Sequence, residues 1–266
     1  MPADSHRHPD WPAPGWQIAG VGALMTTRRG GVSAAPFDTM NLRDGVGDDP
    51  CSVAANCARL AAAIGATPVL LNQVHGTTVV RLTAAHAVPG AAPPPTADAS
   101  VTTEPGIACV VQVADCLPVL FAAESARAVG AAHAGWRGLA GGVLETTLQA
   151  VCAAAACAPG DVRVWLGACI GPAAFEVGAD VLEAFGVAPA AASPHFRPRA
   201  VPGKWLADLP GLARERLAAA GVRSIGGGTD CTFAERSRYF SFRRDRVTGR
   251  MAAAVWLDAG AGRGMR

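Results

Sequence analysis

The spacing of hydrophobic and polar residues predicts helices and strands that alternate along most of the chain. Apolar positions three or four residues apart indicate helices, whereas short apolar runs bounded by turn residues indicate buried strands. The predicted helices are residues 52–64, 139–157, 178–185 and 209–220. The predicted strands are residues 68–71, 77–82, 128–133, 162–168, 239–242 and 252–257. We therefore expect a mixed α and β protein.

The longest apolar run is GIACVVQVADCLPVLFA, at residues 106–122. It is too long for one ordinary strand, and a charged residue and a proline interrupt it at Asp115 and Pro118. The run therefore predicts either two strands or a strand and a bend, broken at residues 115–118.

Two segments rich in proline and alanine, residues 86–98 and 186–204, are predicted to be surface loops. The pattern continues in the same style on both sides of each loop, so neither is expected to link two domains. Residues 1–15 and 259–266 are predicted to be flexible ends. One catalytic domain is thus expected over residues 16–258, a length that can bury a large core.

Composition excludes several classes of protein. Half of the residues are hydrophobic and 17% are charged, which is typical of a globular chain, and a net charge of +2 does not predict a nucleic-acid or membrane partner. No stretch reaches the roughly 18–20 apolar residues of a membrane span, and the start, MPADSHRHPDWPAPGW, lacks the apolar segment of a signal peptide. The eight cysteines include no C-x-x-C pair, which favours free thiols and a cytoplasmic location.

Three polar residues interrupt apolar segments in a way that suggests shared chemistry. They are His75 in LNQVHGTTVV, Cys116 in VVQVADCLPVLF and His133 in VGAAHAGWRG. Two imidazoles and a thiolate suit a tetrahedral zinc ion whose fourth position stays open for water or substrate. However, separations of 41 and 17 residues match no compact zinc motif. An ordinary buried thiol with two structural histidines therefore remains the alternative at this point.

Other polar residues are candidates for catalysis or anion binding. Asp115 lies in an apolar run, where a carboxylate needs a partner, and it is expected to orient a metal-bound histidine. Arg137 lies in HAGWRGLAGG, where a strand, a glycine-rich turn and a helix predict either an anion site or a plain tight turn. Glu176, in GACIGPAAFEVG, is either a general base or a carboxylate at a helix N-terminus.

The segment ERSRYFSFRRDRVTGR, residues 235–250, contains six arginines among aromatic residues. Such a mixture can bind nucleic acid. Because the net charge of the chain is small, a local contact of Arg243 or Arg244 with phosphate or substrate is the preferred interpretation.

Eight segments in this order resemble the YfiH-like laccase-domain family, and the resemblance extends from about residue 20 to residue 257. The segments are NLRDGVGDDP, LNQVHG, ADASVT, VADCLPVLF, AAHAGWRG, GACIGPAAFEVG, DLPGLARERL and SFRRDRVTGRMAAAVWL. The resemblance implies an α+β single domain, a central β-sandwich of mixed sheets flanked by helices, similar to the catalytic fold of a bacterial deamidating toxin. It also implies that His75, Cys116 and His133 bind a metal, Zn²⁺ or alternatively Cu²⁺.

Proteins of this family are described as purine nucleoside phosphorylases with adenosine deaminase and methylthioadenosine phosphorylase activity, and in older descriptions as polyphenol oxidases. The implied substrates are purine nucleosides and phosphate. With the resemblance, Asp115, Glu176 and Arg137 become the candidate catalytic residues. The candidate substrate-binding residues are Asn41, Arg59, Arg137 and Arg244. The chain departs from the family's N-R-x-x-L in the first helix, because Cys57 stands at the arginine position of Asn56-Cys57-Ala58-Arg59-Leu60.

Three other functions remain open. A laccase needs several copper centres, and the chain has six histidines, two of which, His6 and His8, lie in the expected flexible start. A metal-independent hydrolase would use Cys116 as nucleophile and His133 as base. A metal-binding interaction module would bind the ion without catalysis. The resemblance and a compact domain favour a monomer.

Overall fold

Three β-sheets form the body of the protein in a computed structural model that describes residues 7–88 and 93–259. The strands are β1 (Val21–Met25), β2 (Thr67–Val69), β3 (Val79–Arg81), β4 (Ala99–Thr102), β5 (Ile107–Val113), β6 (Leu117–Ala123), β7 (Val129–Ala134), β8 (Val162–Leu166), β9 (Glu176–Val177), β10 (Phe196–Pro198), β11 (Trp205–Ala207), β12 (Ser224–Gly227) and β13 (Met251–Leu257). The helices are α1 (Pro50–Ile64), α2 (Trp136–Gly141), α3 (Val143–Ala155), α4 (Ala179–Ala184), α5 (Leu209–Ala219) and α6 (Phe242–Asp245).

The two large sheets are both mixed. The four-stranded sheet has the order β1-β13-β5-β2, and only β2 runs parallel to its neighbour. The six-stranded sheet has the order β12-β8-β6-β7-β4-β3, with parallel pairs at both edges and antiparallel pairs at its centre. A small antiparallel sheet, β10-β11-β9, completes the set.

The four-stranded and six-stranded sheets pack face to face. Alternate residues of a strand point to opposite faces of its sheet, and in β5 the residues Cys109 and Val111 enter the core between the sheets while Ala108 and Val110 enter the core on the outer face. Both faces of β5 are thus buried, which explains why its sequence is apolar except for Gln112.

Helices cover the outer face of each large sheet. Helix α1 packs Leu60 and Ile64 against the four-stranded sheet. Helices α3 and α5 pack Leu148 and Leu217 against the six-stranded sheet. The result is a four-layer α+β domain with a central sandwich, and the expected fold class is confirmed.

Local signals set the limits of the helices. Asp49 accepts hydrogen bonds from the backbone N–H groups of Cys51 and Ser52 and so caps the start of α1, while Gly65, at φ 62°, ends it. Gly142, at φ 98°, divides the predicted helix 139–157 into α2 and α3. Among the described residues, no helix is long and apolar enough to cross a membrane.

The prediction of a strand at residues 239–242 is wrong. Tyr239 and Phe240 are fully buried in a loop, and α6 begins directly after Ser241, whose hydroxyl accepts a hydrogen bond from the backbone N–H of Arg244. The hydroxyl of Tyr239 donates to Asp230. A helix cap and a buried side-chain hydrogen bond therefore override the strand preference of the aromatic residues.

Other predicted elements are confirmed with changed limits, and several strands were not predicted. Strands β1, β4, β9, β11 and β12 are absent from the prediction, and β10 lies inside the predicted loop 186–204. Of the predicted loop 86–98, residues 89–92 lie outside the described residues, as do parts of the predicted flexible ends, residues 1–6 and 260–266. Trp11 is buried and donates its indole N–H to the carbonyl of Arg29, so the packed body begins before residue 16.

Truncation of Leu120 tests the packing between the sheets. Leu120 is completely buried in the core that the two large sheets share. Leu120→Ala should lower the free energy of unfolding by about 2–5 kcal/mol, because it removes apolar contacts and leaves a cavity. The control Val201→Ala changes an exposed side chain and should cost less than about 0.5 kcal/mol. Urea unfolding followed by circular dichroism measures both, and equal stability of the two variants would contradict the sandwich.

Candidate metal centre and adjoining cavity

His75, Cys116 and His133 meet at one end of the six-stranded sheet. Cys116 directly precedes β6, and His133 lies near the end of β7, which is antiparallel to β6 and pairs His133 with Pro118. His75 lies in the loop between β2 and β3. One potential ligand atom from each of the three side chains lies within 4.8 Å of the other two, and Cys116 Sγ is 3.6 Å from His75 Nε2. Distant segments of sequence thus form one cluster of metal-binding side chains.

A fourth residue, Asp98, supports both histidines. It directly precedes β4, is fully buried, and its Oδ1 lies 2.8 Å from His133 Nδ1. An ionised carboxylate can only accept hydrogen bonds, so Nδ1 carries the proton and Nε2 is the nitrogen of His133 that can bind a metal.

The same carboxylate holds the loop that carries His75. Asp98 Oδ1 accepts a hydrogen bond from the N–H of His75 at 2.9 Å, and Oδ2 accepts from the N–H groups of Val74 and Gly76 at 3.2 and 2.6 Å. His75 has a φ of 62°, a left-handed conformation that non-glycine residues seldom adopt. Three hydrogen bonds to one buried carboxylate therefore stabilise an unfavourable turn.

Electrostatic interactions within the cluster favour a thiolate. Burial of Cys116 would raise the pKa of its thiol, but the charge of His133 and hydrogen bonds from His133 and His75 lower that pKa to about 6. Burial would lower the pKa of His133, but Cys116 and Asp98 raise it to about 9. At neutral pH without a metal, the pair is therefore a thiolate and an imidazolium, and the thiolate is the form of cysteine that binds metals.

The close approach of the ligands requires a glycine at position 135. A Cβ on Gly135 would lie 2.7 Å from His75 Cδ2 and 3.1 Å from Cys116 Sγ. A Cβ on Gly138, one turn along in α2, would lie 2.9 Å from the carbonyl oxygen of Gly76. The glycines of HAGWRGLAGG thus allow α2 to pack directly on the loop that contains His75.

A cavity of about 320 Å³ opens beside Cys116. Its residues come from the β5–β6 connection, from α2 and the residue before it, from the segment before β9, from the start of α5, and from α6 and the residue after it. They are Ala114, Asp115, Cys116, Gly135, Trp136, Arg137, Ile170, Phe175, Leu209, Phe242, Arg243 and Arg246. The lining thus combines a cluster of metal-binding side chains with aromatic and basic side chains.

Each aromatic ring of this lining has an arginine over its face. The guanidinium carbons lie 4.2 Å from the Trp136 ring for Arg137, 5.4 Å from Phe175 for Arg243, and 5.9 Å from Phe242 for Arg246. Arg243 also donates to the carbonyl of Glu176. Within the described parts of the chain, the guanidinium groups of Arg137 and Arg246 form no hydrogen bond or ion pair, so they are available to an anionic ligand.

Comparison with known proteins decides the family. Residues 22–258 match the family described as multi-copper polyphenol oxidoreductase laccase. The chain belongs to the YfiH-like laccase-domain family. A purine nucleoside phosphorylase of Pseudomonas aeruginosa is 49% identical over 94% of this chain and 97% of that protein. The YfiH protein of Escherichia coli, also named a purine nucleoside phosphorylase, is 48% identical over 94% and 97%.

Solved structures agree with this assignment. A crystal structure of a Neisseria meningitidis protein has a TM-score of 0.85 and 45% identity, and the match covers 94% of this chain and 99% of that chain. The YlmD protein of Geobacillus stearothermophilus has a TM-score of 0.85 and 36% identity over 93% and 96%. The shared family and fold thus rest on nearly whole chains.

Asp115 lines the cavity but does not orient a histidine, which corrects the prediction. Its Oδ1 accepts the hydroxyl of Thr232 at 2.7 Å, and its Oδ2 accepts the N–H of Arg243 at 2.6 Å. The orienting carboxylate is Asp98 instead. Asp115 joins the β5–β6 connection to α6 and so fixes the basic wall of the cavity.

Asn41 and Arg244 are not placed to bind substrate. Asn41 is fully buried, and its side-chain amide forms hydrogen bonds with Arg43, with Asp48 and with the backbone N–H of Arg250. The guanidinium of Arg244 donates to backbone carbonyls and to Asp245, which its near-complete burial requires. Both residues hold loops of this YfiH-like domain together. Of the two adjacent arginines, Arg243 lines the cavity and Arg244 does not.

Glu176 and Arg59 also lie outside the lining of the cavity. The carboxylate of Glu176 pairs with Arg199 at 3.3 Å, and only its backbone carbonyl touches a cavity residue, Arg243. The guanidinium of Arg59 donates to the carbonyl of Gly30. Of the residues predicted from the sequence, the structure therefore brings together the three metal-ligand candidates, Asp115, Arg137 and Arg243.

No role was predicted for Asp98 from the sequence, and Arg246 was not placed in the site. Asp98 lies in ADASVT, a segment that carries the family resemblance, and an acidic residue next to a buried strand is a signal that a partner is near. Arg246 was one of six arginines in 235–250, and the sequence pattern could not separate the cavity-facing ones from those that hold backbone carbonyls.

Substitution of Gly135 tests the geometry of the cluster. The added methyl of Gly135→Ala would overlap His75 and approach Cys116, so metal affinity should fall roughly tenfold or more while the fold persists. The control Gly15→Ala adds a methyl with no atom within 4 Å and should bind metal as the unmodified protein does. Titration with Zn²⁺ against a chromophoric chelator measures both. Unchanged affinity in the Gly135→Ala variant would show that these three side chains are not the metal site.

Proposed function

We propose that the protein is a metal-dependent purine nucleoside phosphorylase that also deaminates adenosine. The observation that carries the proposal is the cavity, which Cys116 of the metal-binding cluster lines together with free arginines and aromatic rings. The names of the Pseudomonas and Escherichia relatives support the reaction class. We expect adenosine, inosine and methylthioadenosine as substrates.

The chemistry of the donor set fits Zn²⁺. Two imidazoles and a thiolate are ligands that zinc prefers, three protein ligands leave a fourth position open, and Asp98 fixes the tautomer of His133. When bound, the metal supplies a Lewis acid that polarises a coordinated oxygen. The same set could hold Cu²⁺, which prefers similar donors.

The walls of the cavity suit the two substrates. Unpaired guanidinium groups bind phosphate through charge-assisted hydrogen bonds, so Arg137 and Arg246 are the phosphate-binding candidates. Phe242 is 46% exposed, and it offers a flat apolar surface on which a purine base can stack. A nucleoside and a phosphate can thus be held together beside Cys116.

Phosphorolysis exchanges one bond at the ribose for another. A phosphate oxygen forms a bond to C1′ while the bond from C1′ to N9 breaks, and the base leaves with the electron pair and takes up the proton that the hydrogen phosphate gives up. The products are the free base and ribose 1-phosphate. We assign Arg137 to the charge of the phosphate and Asp115, a carboxylate that lines the cavity, to accepting that proton from the phosphate and passing it to the base. In deamination, water adds to C6 of adenine and ammonia leaves, giving inosine.

The family description as a laccase does not fit the arrangement of ligands. Four-electron reduction of O₂ by a laccase uses several copper centres, and each needs its own ligands. In residues 7–88 and 93–259, His75, Cys116 and His133 are the one group of three or more metal-binding side chains. A single centre supports nucleoside chemistry better than multi-copper oxidation.

One rival function has a structural observation in its favour. Cys116, His133 and Asp98 are arranged as a nucleophile, a base and an orienting carboxylate, and the pKa of Cys116 is lowered to about 6. A cysteine hydrolase with this triad would need no metal. It would lose activity on alkylation and keep activity on chelation.

Product analysis before and after chelation tests the proposal. Purified protein whose metal content has been measured is incubated with adenosine and phosphate. We expect adenine with ribose 1-phosphate, and inosine with ammonia, both lost after chelation and restored by Zn²⁺. The matched variant Cys116→Ser should lose both activities, because a hydroxyl is a poor substitute for a thiolate ligand.

The same experiment separates the alternatives. Activity that survives chelation but not alkylation supports the cysteine hydrolase. Oxidation of a phenol by copper-loaded protein supports the oxidase. Bound metal with no turnover of any nucleoside supports an interaction module, and each of these results contradicts the proposed activity.

Arginine variants test the phosphate site. Arg137→Met and Arg246→Met remove a guanidinium and keep an apolar stem, so each should raise the KM for phosphate by about 10-fold to 100-fold, the loss expected for a charged hydrogen bond. The KM for the nucleoside should change less. The control Arg127→Met, on the exposed turn between β6 and β7 and so at the opposite end of these strands from Cys116 and His133, should leave both constants unchanged. Steady-state kinetics at varied phosphate gives the answer, and an unchanged KM for phosphate in both cavity variants would rule out this assignment.

A further inference from the structure

We infer that Asp98 is the positioning residue that sets the geometry of the metal centre through both histidines at once. This inference rests on the metal-dependent function proposed above. Asp98 is the buried carboxylate that contacts His133 through the ring and His75 through the backbone. It has no direct contact with the cavity lining, so it acts through other residues and is not itself catalytic.

The hydrogen bonds of Asp98 divide between its two oxygens. Oδ1 accepts from His133 Nδ1 and from the N–H of His75, and Oδ2 accepts from the N–H groups of Val74 and Gly76. Every partner is a donor. The carboxylate therefore satisfies four donors with acceptor sites alone, which a neutral amide of the same shape cannot do.

The position of Asp98 in the sheet makes this support rigid. The residue directly precedes β4, and its backbone carbonyl accepts the N–H of His133 at 2.7 Å. Ala99, the next residue, pairs with Ala132 in β7. Asp98 and His133 are thus fixed side by side by the sheet itself, and the loop that carries His75 is held to the sheet through the same side chain.

The burial of Asp98 requires this arrangement. A fully buried carboxylate is costly unless its oxygens accept hydrogen bonds or face a positive charge. All four hydrogen-bond partners of the carboxylate are donors, which suits its ionised form. The ring of His133 therefore keeps its proton on Nδ1, beside Asp98, and has Nε2 as its free nitrogen.

Replacement by asparagine gives the sharpest test. In Asp98→Asn one oxygen becomes an NH₂ group, which faces either the N–H groups of the His75 loop or Nδ1–H of His133, so one of the two ligands loses its support. Zn²⁺ affinity, measured by chelator competition, should fall by about 10-fold to 100-fold. The d–d absorption of the Co²⁺-loaded protein should also change in position and intensity, which a loss of stability alone would not cause.

A control on the same strand isolates the effect. Ser100 is fully buried in β4, two residues from Asp98, and its hydroxyl oxygen has no hydrogen-bond partner within the described parts of the chain. Ser100→Ala should therefore keep the Zn²⁺ affinity and the Co²⁺ spectrum of the unmodified protein. A folded Asp98→Asn variant that also keeps both would overturn the inference.

A measurement on the unmodified protein decides the matter if the Asp98→Asn variant does not fold. Long-range ¹H–¹⁵N correlation spectra of the Zn²⁺-loaded protein should show His133 protonated on Nδ1 and metal-bound through Nε2. The opposite tautomer, or a protein that binds no metal, would overturn the inference. Metal binding with the expected tautomer but without nucleoside turnover would contradict the proposed activity and leave the role of Asp98 supported.

Discussion

The three-residue connection between β5 and β6 is the constraint on which the fold and the site both depend. It carries the chain from the four-stranded sheet to the six-stranded sheet, so Ala114, Asp115 and Cys116 must turn where both neighbouring strands are fully buried. Asp115 adopts a φ of 94°, and its carboxylate is satisfied by Thr232 and by the backbone of Arg243. The turn thereby exposes Cys116 at the end of the sheet and fixes α6 opposite it. The positions of Cys116, a metal-ligand candidate, and of the basic residues of α6 thus both depend on this connection between the sheets.

The charges of the cluster explain why a cation belongs there. Asp98 and Cys116 are anionic at neutral pH, and His133 balances part of that charge only while it carries a second proton. A buried carboxylate and a half-buried thiolate beside a neutral imidazole would be unfavourable without a further positive charge. A divalent ion would supply that charge and take the place of the proton on His133. The carboxylate, the thiolate and the two imidazoles thus form a set suited to a bound metal.

The sequence predicted most of the framework because its signals are local. Continuous apolar runs identified β5, β6 and β13, and a helix cap at Asp49 agrees with the predicted first helix. Strands β4 and β12 were missed because each has four residues and is defined by its neighbours in the sheet. The three metal-ligand candidates were found as polar residues in apolar segments. The role of Asp98 was not, because its contacts join residues 22 to 35 positions apart. Likewise, the sequence pattern could not distinguish Arg243, which lines the cavity, from Arg244, whose guanidinium donates hydrogen bonds to backbone carbonyls.

The charged groups around the cavity bear on the choice of reaction. Cys116, a member of the metal-binding cluster, lines the cavity together with Arg137, Arg243 and Arg246. A neutral phenol, the substrate of a polyphenol oxidase, would make no use of the arginines. In the proposed phosphorolysis the phosphate would bind to the arginines while the base stacked on the adjacent rings. The arginines thus have a role in the proposed reaction that oxidation of a phenol would not give them, and their position beside a single metal-binding cluster favours the nucleoside proposal.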